Sequence, residues 1–283
     1  MIISEALEVF SSQITPITDD PFLEARLIIQ KATGLSRPVL LSHPEKELSE
    51  SEQMEITKMT ARRATGFPLP YILGEWEFYG RSFFVDPSVL IPRPETELLA
   101  EEALGWLRHH PQTDLAFDVG TGSGCIAATL LCEAKNLHVA AVDIKRDALE
   151  TASKNAVRHK VRDRFHPIQA DLFSAFDTKA GLICANLPYI QSESCKTIEP
   201  ARFEPLSALD GGADGFELYR LLFQQIANKI REESLVLCEI EYRQRETALQ
   251  TAAVFFPHAE ISVMNDLARQ PRLLKIKSET KRT

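Results

Sequence analysis

Residues 181–190 read Gly-Leu-Ile-Cys-Ala-Asn-Leu-Pro-Tyr-Ile, an apolar run that stops at an asparagine followed by a proline and an aromatic residue. The apolar half predicts a short buried strand, and the loop after it begins at Asn186. Loops at the carboxyl ends of parallel strands are where α/β enzymes bind their ligands. The Asn186 side chain offers one acceptor oxygen and two amide donors, Pro188 stiffens its own backbone and that of Leu187, and Tyr189 adds a flat face with a polar tip. We therefore expect this loop to hold a planar group that bears an NH2 and to leave its nitrogen open to an electrophile.

Strands and helices alternate on both sides of this stretch, beginning at Leu115. That alternation predicts an α/β domain with a mainly parallel sheet. Strands are predicted at 115–119, 139–142, 165–169, 181–185, 235–240, 259–264 and 272–276, and helices at 123–132, 146–157, 216–230 and 243–255. The Lys-rich tail from Lys275 to Arg282 is predicted to extend into solvent.

Residues 1–74 have a different pattern, with apolar residues at helical spacing. Helices are predicted near residues 2–10, from Pro21 to Gly34, and at 49–64. Because this segment has no cluster of catalytic side-chain types, we predict a small helical bundle that serves docking rather than chemistry.

Residues 75–95 contain short apolar pieces separated by turn residues, which predicts a hairpin-like connector. The stretch Ile91–Glu97 (Ile-Pro-Arg-Pro-Glu-Thr-Glu) follows and leads into a helix over Leu98–Leu107. Two prolines fix the start of that helix, and acids occupy its first turn. The stretch fits two interpretations equally: a capped linker, or a rigid elbow across the mouth of the catalytic domain.

The composition excludes several classes of protein. The chain has 283 residues and a net charge of −8, which makes it a poor candidate for wrapping long nucleic acid by phosphate neutralisation. It has no run approaching the ~20 apolar residues that span a bilayer, and its first ten residues have no basic segment typical of a signal peptide. The five cysteines include no Cys-x-x-Cys pair, so we expect reduced thiols, no metal site and a cytoplasmic protein.

A glycine loop follows the first strand of the α/β domain, with the sequence Asp118-Val119-Gly120-Thr121-Gly122-Ser123-Gly124. Glycines let the backbone approach a ligand closely, and the helix that follows presents free amides. Asp143 ends the next strand, where a carboxylate can accept hydrogen bonds from two ribose hydroxyls. The glycine spacing is not that of the dinucleotide fingerprint, yet an NAD-binding domain stays an alternative from these residues alone.

A third candidate segment, Ala170–Phe173, comes just after the strand at 165–169. The Asp171 carboxylate can accept from the amino group of an adenine, and Leu172 and Phe173 can pack beside its ring. A helix N-cap followed by core residues explains the same segment equally well.

Together these motifs resemble a known family. The glycine loop with Asp143 is similar to that of class I S-adenosylmethionine-dependent methyltransferases, and residues 186–189 resemble the Asn-Pro-Pro-Tyr motif of methyltransferases that act on amino groups. Residues 83–97 resemble the linker of release factor glutamine methyltransferases, the PrmC or HemK family. Further matches lie at Arg202-Phe203-Glu204-Pro205, Leu209–Gly212 and Cys238-Glu239-Ile240.

The resemblance implies a seven-stranded class I methyltransferase (Rossmann-like) domain at 96–283, preceded by a helical bundle at 1–74 and a β-hairpin linker at 75–95. It implies methyl transfer from S-adenosylmethionine to the side-chain amide nitrogen (N5) of the Gln in the Gly-Gly-Gln loop of class I peptide chain release factors. The cofactor would contact Gly120, Thr121, Gly122, Ser123, Gly124, Asp143, Asp171, Leu172 and Asn186, and the substrate would contact Asn186, Leu187, Pro188 and Tyr189. Two residues depart from the family pattern: Leu187 stands for a proline and Glu241 for a glycine.

The expected mechanism is positional, because an amide nitrogen is a poor nucleophile whose lone pair is delocalised into the carbonyl. We expect the Asn186 side-chain oxygen and the Leu187 carbonyl to accept both N–H bonds of the substrate amide and so aim its nitrogen at the methyl donor. No general base is evident, and His138, His159 and His166 are not expected to act in catalysis. The partner is then a release factor protein, with no membrane and no direct nucleic acid.

Two alternatives come from other functional classes. The first is an N-methyltransferase for the exocyclic amino group of a DNA or RNA base, which would flip its target from a duplex and use Lys145–Arg164 as a basic track. The second is a non-catalytic binding module associated with RNA or the ribosome.

Overall fold

The structure is a computed structural model that describes residues 1–278. The chain divides into two compact units, Met1–Glu75 and a second unit that begins at Trp76. No helix among the described residues is both long and apolar enough to cross a membrane.

The first unit is helical, as the apolar spacing predicts. Its helices are α1 (Ile3–Ile14), α2 (Pro21–Thr33), α3 (Arg37–Ser42), α4 (Glu50–Ala64) and α5 (Leu69–Leu73). The Asp20 carboxylate accepts from the Leu23 amide at 3.0 Å at the start of α2, and Ser49 with Glu52 forms a capping box on α4. The apolar spacing predicts neither α3 nor α5, because helices of six and five residues are too short to show a period.

A hairpin follows, with strands β1 (Glu75–Phe78) and β2 (Arg81–Phe84). Its two-residue turn has positive φ at both positions, 52° at Tyr79 and 66° at Gly80. That is the type I′ geometry whose twist matches paired strands. Within the second unit, the hairpin packs on α8 (Arg146–Arg158), since the Asn155 side chain hydrogen-bonds to both the amide (2.7 Å) and the carbonyl (3.0 Å) of Phe84.

The rest of the second unit alternates helices and strands. Its helices are α6 (Glu97–His109), α7 (Cys125–Glu133), α8 (Arg146–Arg158), α9 (Ser192–Cys195), α10 (Glu217–Ile226) and α11 (Arg245–Phe255). Its strands are β3 (Leu115–Val119), β4 (His138–Asp143), β5 (Phe165–Gln169), β6 (Ala180–Ala185), β7 (Ile230–Glu239), β8 (Glu260–Asn265) and β9 (Pro271–Ser278). One buried cluster packs α6, α7 and α8 on one face of the sheet, and a second packs α10 and α11 on the other.

The seven strands lie in the order β5-β4-β3-β6-β7-β9-β8, and β9 alone runs antiparallel to its two neighbours in this sheet. This confirms the predicted α/β class with a mainly parallel sheet. The chain passes from β3 outward to β5 and then returns to place β6 on the other side of β3. The carboxyl ends of β3 and β6 therefore meet at the topological switch point, where open α/β sheets bind ligands.

Two strand boundaries differ from the prediction by two residues or more. β7 begins at Ile230, five residues before the predicted start at 235. The prediction began too late because the first half of the strand carries Arg231, Glu232 and Glu233 at its exposed end, which hides the apolar pattern. β9 continues to Ser278 through the Lys-rich residues expected in the tail, and Lys275 Nζ there pairs with the Glu102 carboxylate of α6. The prediction that the tail extends into solvent from Lys275 was therefore wrong for residues 275–278, and residues 279–282 lie outside the described residues.

Candidate functional site

A cavity of about 360 Å³ lies at the carboxyl ends of β3, β4 and β6. Leu90 and the elbow residues Pro92, Arg93 and Thr96 line one side of it, which favours the elbow over the plain-linker interpretation. The cavity brings together nearly every residue expected at the site: Gly120, Thr121, Gly122, Ser123, Asp143, Asp171, Leu172, Asn186, Leu187 and Pro188.

The glycine loop is held open by backbone bonds to the neighbouring strand. The amides of Gly120 and Thr121 donate to the Val142 carbonyl at 2.8 and 2.9 Å. At Gly122 φ is +53°, and a Cβ there would meet only the Gly120 carbonyl oxygen, at 4.0 Å, so the loop leaves room for a ligand against its backbone.

Gly124 has a different role from the rest of the loop. It is not among the residues that line the cavity, and a Cβ at this position would lie 2.9 Å from the Cβ of Ala152 on α8. The absence of a side chain at Gly124 thus lets α7 and α8 approach each other closely.

Asp143 ends β4 with its carboxylate tied on both sides. Oδ2 accepts from the Gly122 amide at 3.0 Å, and Oδ1 accepts from the Lys145 amide at 2.9 Å. Burial raises the pKa of this carboxyl, while the backbone amides oppose the shift. Each oxygen has accepted one backbone bond and retains a lone pair for a hydroxyl donor.

Asp118 lies beside the glycine loop, although it was not among the residues expected at the site. It is fully buried, and its Oδ2 accepts from Thr121 Oγ1 at 2.6 Å and from the Ala127 amide at 3.1 Å. Its Oδ1 has no hydrogen-bond partner among the described residues. Asp118 therefore joins the glycine loop to the first turn of α7. An acid at the last-but-one position of the strand before a glycine loop was the available signal.

The charge of Asp118 predicts a pH dependence of stability. Burial raises its pKa from 3.8 to about 6. Between those values the folded protein keeps a proton that the unfolded chain has released, so the stability from this group is greatest at low pH and is lost as pH rises to about 6. As pH rises from about 4 to about 7, we expect the free energy of unfolding of Asp118→Asn to increase by about 3 kcal/mol relative to that of wild type. Urea unfolding across this range measures the difference, with the exposed Asp147→Asn as control. Parallel curves for Asp118→Asn and wild type would contradict the prediction.

Asp171 and Leu172 lie in a turn after β5, and the N-cap interpretation of this segment is wrong because the segment forms no helix. Leu172 is buried with φ +51° and lines the cavity. Phe173 packs in the core, 4.8 Å from the ring centroid of Phe117, rather than beside a ligand.

The Asn186–Tyr189 loop borders this cavity and a second one of about 170 Å³. Asn186 and Leu187 line both cavities, whereas Tyr189 lines the smaller cavity and not the larger one. Asn186 donates from Nδ2 to Thr96 Oγ1 at 3.0 Å, which leaves its side-chain oxygen free of that contact. The loop thus stands between a space beside the glycine loop and a space beside Tyr189.

Leu187 has a backbone partner that the family's usual proline would lack. Its amide donates to the Tyr219 hydroxyl at 3.1 Å, and that hydroxyl lies against the carbonyls of Ala185 and Glu239. Tyr219 therefore joins the ends of β6 and β7 to the loop. Its side chain is buried in the core of the second unit.

We expect Tyr219→Phe to lower the free energy of unfolding by about 1–3 kcal/mol, because it leaves the buried Leu187 amide without an acceptor. In a Leu187→Pro background the same substitution should cost less, since no amide hydrogen remains to be paired. Urea unfolding of the two single variants and the double variant measures this coupling. Equal costs of Tyr219→Phe in both backgrounds would contradict it.

Arg93 and Glu204 hold the elbow in place. Residue Glu204 is 5% exposed, and its carboxylate accepts from the Ile91 amide at 3.1 Å and pairs with the Arg93 guanidinium. Pattern reasoning assigned neither side chain a role, although both lie in segments that carried the family resemblance. Their contact spans 111 positions of the chain, so no local period reveals it.

The proposed basic track at Lys145–Arg164 is partly occupied by structural contacts. Arg164 donates to the carbonyls of Leu131, Ala134 and Leu137 at 2.7–3.0 Å. Arg162 likewise donates to the Phe165 carbonyl at 2.8 Å. Two of the arginines of the track, Arg164 and Arg162, therefore hydrogen-bond to backbone carbonyls at the end of α7 and at the start of β5.

The three histidines lie apart from the cavity lining. His138 and His166 stack on each other at the amino-terminal half of β4 and β5, with ring centroids 5.2 Å apart. His159 follows α8 and packs on Phe83, with ring centroids 4.6 Å apart.

The fold and the site define the class of protein. A seven-stranded sheet with a glycine loop after β3, an acid at the end of β4 and an Asn-x-Pro-Tyr loop after β6 is the arrangement of a class I methyltransferase. A methyltransferase from Pyrococcus furiosus shares this fold with a TM-score of 0.52, covering 72% of this chain and 91% of that structure at 13% identity. At that identity the likeness shows the fold alone.

Sequence comparisons identify the family within this class. The PrmC N-terminal domain family matches residues 5–74, and the methyltransferase small domain family matches residues 96–201. The release factor glutamine methyltransferase of Nitratidesulfovibrio vulgaris is 38% identical, covering 90% of this chain and 88% of the relative. That of Bacillus subtilis is 35% identical over 96% of both chains. The chain belongs to the release factor glutamine methyltransferase family, which confirms the resemblance found in its motifs.

Proposed function

We propose that this protein transfers a methyl group from S-adenosylmethionine to the side-chain amide nitrogen of the Gln in the Gly-Gly-Gln loop of class I peptide chain release factors. The observation that carries the proposal is the position of Asn186 between two cavities, one beside the glycine loop and one beside Tyr189. Such a residue can present a substrate amide to a methyl donor across a short gap. The names and close similarity of the relatives support the same activity.

The residues of the larger cavity fit S-adenosylmethionine. The open backbone at Gly122 suits the methionine part, and the Asp143 carboxylate retains acceptor capacity for two ribose hydroxyls. Leu172 would flank the adenine, and Asp171 would accept from its amino group. When bound, the cofactor supplies an electrophilic methyl group on a sulfonium centre and a good leaving group.

The Asp143 role makes a prediction about cofactor binding. We expect Asp143→Ala to weaken binding of S-adenosylmethionine by about tenfold or more, because two hydrogen bonds to a charged acceptor are lost. Isothermal titration calorimetry measures this without turnover. Asp147→Ala removes an exposed acid four residues further along the chain, in the first turn of α8, and should bind as wild type does. Unchanged affinity in Asp143→Ala would contradict the assignment.

The protein's own part in the reaction is to hold the substrate amide. Asn186 Oδ1 and the Leu187 carbonyl would accept its two N–H bonds, which fixes the amide plane and points the nitrogen toward the larger cavity. Tyr189 would pack against that plane, and Pro188 would keep the loop extended. The amide proton would leave to water after transfer.

The three segments of the chain have separate proposed roles. Residues 1–74 would bind the release factor, with the exposed apolar side chains of Phe22, Leu41 and Met54 as contact surface. Residues 75–95 would act as the linker, and residues 96–283 would carry out transfer.

One labelling experiment tests the proposal. The protein is incubated with methyl-labelled S-adenosylmethionine and, in separate reactions, purified release factor, duplex DNA or ribosomal RNA. We expect label on the release factor alone and, after proteolysis, on the Gln of the Gly-Gly-Gln peptide. Label confined to nucleic acid would overturn the proposal in favour of a base methyltransferase, and a failure to bind the cofactor would leave only a binding module.

A further inference from the structure

Arg93 is the only charged residue among the described residues that line the smaller cavity. The rest of that lining consists of Asn186, Tyr189 and apolar residues. Arg93 also lines the larger cavity, and about a third of its side chain (35%) is exposed. Its guanidinium therefore lies in the wall that a ligand of either cavity would meet.

The polar side chains of the smaller cavity differ in how many hydrogen-bond donors they have left. Asn186 donates from Nδ2 to Thr96 Oγ1 at 3.0 Å, and the Tyr189 hydroxyl donates to Glu239 Oε1 at 3.3 Å. Arg93 donates from Nη2 to Glu204, and its Nε and Nη1 have no hydrogen bond to any of the described residues. A guanidinium has five N–H donors, so Arg93 retains most of its donors for a ligand.

Glu204 fixes the position of this guanidinium. Its side chain is 3% exposed, Oε1 accepts from Arg93, and Oε2 accepts from the Ile91 amide at 3.1 Å. The Glu204 amide donates to the carbonyl of Pro200 at 2.8 Å, and Pro200 lines the smaller cavity opposite in sequence to the elbow. The carboxylate thus joins two segments of the cavity wall. It also balances the charge of Arg93, which then offers N–H donors without a net positive charge.

A ligand that matches this wall must supply neutral acceptors. Apart from the Gln side chain, the polar groups of a Gly-Gly-Gln segment are its peptide groups, and two glycines leave the backbone carbonyls open to close approach. We propose that Arg93 is a substrate-binding residue that donates to backbone carbonyl oxygens of the segment bearing the target Gln, and that Glu204 is the positioning residue that fixes its guanidinium and balances its charge. Both roles rest on the proposed function.

The first test compares two variants that differ only in the guanidinium. Glu204→Gln keeps an acceptor for the Ile91 amide, and the double variant Arg93→Met with Glu204→Gln removes Arg93 without leaving a buried carboxylate unpaired. We expect the KM for release factor to be about tenfold or more higher in the double variant than in Glu204→Gln, because hydrogen bonds from a charged donor are lost. The kcat should be similar in the two, since Arg93 holds the substrate before and during transfer alike.

Arg202→Met is the matched control for this comparison. Arg202 is exposed, lies two residues before Glu204 and lines neither cavity. We expect its KM and kcat to match those of wild type.

The second test measures binding without turnover. Release factor with its target Gln, or with Glu at that position, is titrated against wild type, Glu204→Gln and the double variant. We expect wild type to prefer the Gln form and the ratio of the two Kd values to fall about tenfold in Glu204→Gln, because the unbalanced guanidinium attracts the added carboxylate. The double variant should return the ratio close to that of wild type. A merely structural role would weaken both forms by the same factor and leave the ratio unchanged.

The outcomes separate the two proposals. A wild-type protein that neither binds nor labels release factor refutes the proposed substrate, and the role of Arg93 with it. If wild type labels release factor, the role of Arg93 alone is refuted by either of two results: an unchanged Kd ratio in Glu204→Gln, or a double variant with the same KM as Glu204→Gln.

Discussion

Asn186→Ala is expected to lower kcat for release factor methylation by about 100-fold or more. The substitution removes the side-chain oxygen that would hold the substrate amide in line with the methyl donor, and only the Leu187 carbonyl then remains to orient it. Single-turnover transfer of labelled methyl measures the loss. The affinity for release factor should fall much less, because most of a protein–protein interface lies outside one side chain.

Asn136→Ala is the matched control for this variant. Asn136 is exposed in the turn between α7 and β4, so its loss should leave kcat as in wild type. If Asn186→Ala keeps more than about a tenth of wild-type activity, the amide clamp is not the main source of catalysis.

Gly215→Ala is expected to have the second large effect, on both stability and activity. Gly215 has φ +77°, and a Cβ there would overlap the Tyr189 carbonyl oxygen and lie 2.9 Å from Gln244 Nε2. Gln244 donates from that nitrogen to the Tyr189 carbonyl at 3.1 Å and to the Gly215 carbonyl at 2.9 Å. The added methyl group must therefore displace the loop that carries the substrate residues. We expect the free energy of unfolding to fall by about 2 kcal/mol or more and kcat to fall at least about tenfold.

The comparison with Gly80→Ala isolates the clash. Gly80 has a similar φ of +66° but no atom within 4 Å of an added Cβ. Gly80→Ala should therefore lower the free energy of unfolding only by the cost of a left-handed backbone at alanine, about 1 kcal/mol, and should change activity little. Urea unfolding gives the free energies and methyl transfer gives the rates. Equal losses at both glycines would show that backbone conformation, not contact with the Tyr189 loop, explains the effect.

The departure of Leu187 from the family proline has a structural consequence here. A proline at this position has no amide hydrogen, whereas Leu187 donates to the buried Tyr219 hydroxyl. The Leu187 side chain also reaches the glycine loop, since its Cδ2 would lie 2.9 Å from a Cβ at Gly120. In this chain a hydrogen bond and a packing contact between the loop after β6 and the glycine loop thus take the place of the stiffness that a proline ring would supply. Glu241, the other departure, accepts from the Arg243 amide at 2.9 Å and caps the turn before α11.

Features that depend on neighbours along the chain could be predicted from the residues alone. Strand and helix alternation, the glycine loop after β3, Asp143 at the end of β4 and Asn186 at the end of β6 all follow from local periodicity and from turn residues at strand ends. The switch-point rule then placed these loops at one edge of the sheet before any contact was known. The start of β7 could not be predicted in this way, because charged residues at the exposed end of a strand interrupt the apolar pattern.

The contacts that hold the Asn186 loop come from residues far apart in the chain and become visible only in the folded protein. Thr96 lies 90 residues from Asn186, and Gln244 lies 55 residues from Tyr189, so no period or motif links them. Glu239 sits at the end of a buried strand, where its carboxylate interrupts the apolar run without indicating a partner. Donor and acceptor roles at these positions depend on which side chains the folded sheet brings within about 3 Å of one another. That proximity is a property of the packed strands and loops, and local sequence does not encode it.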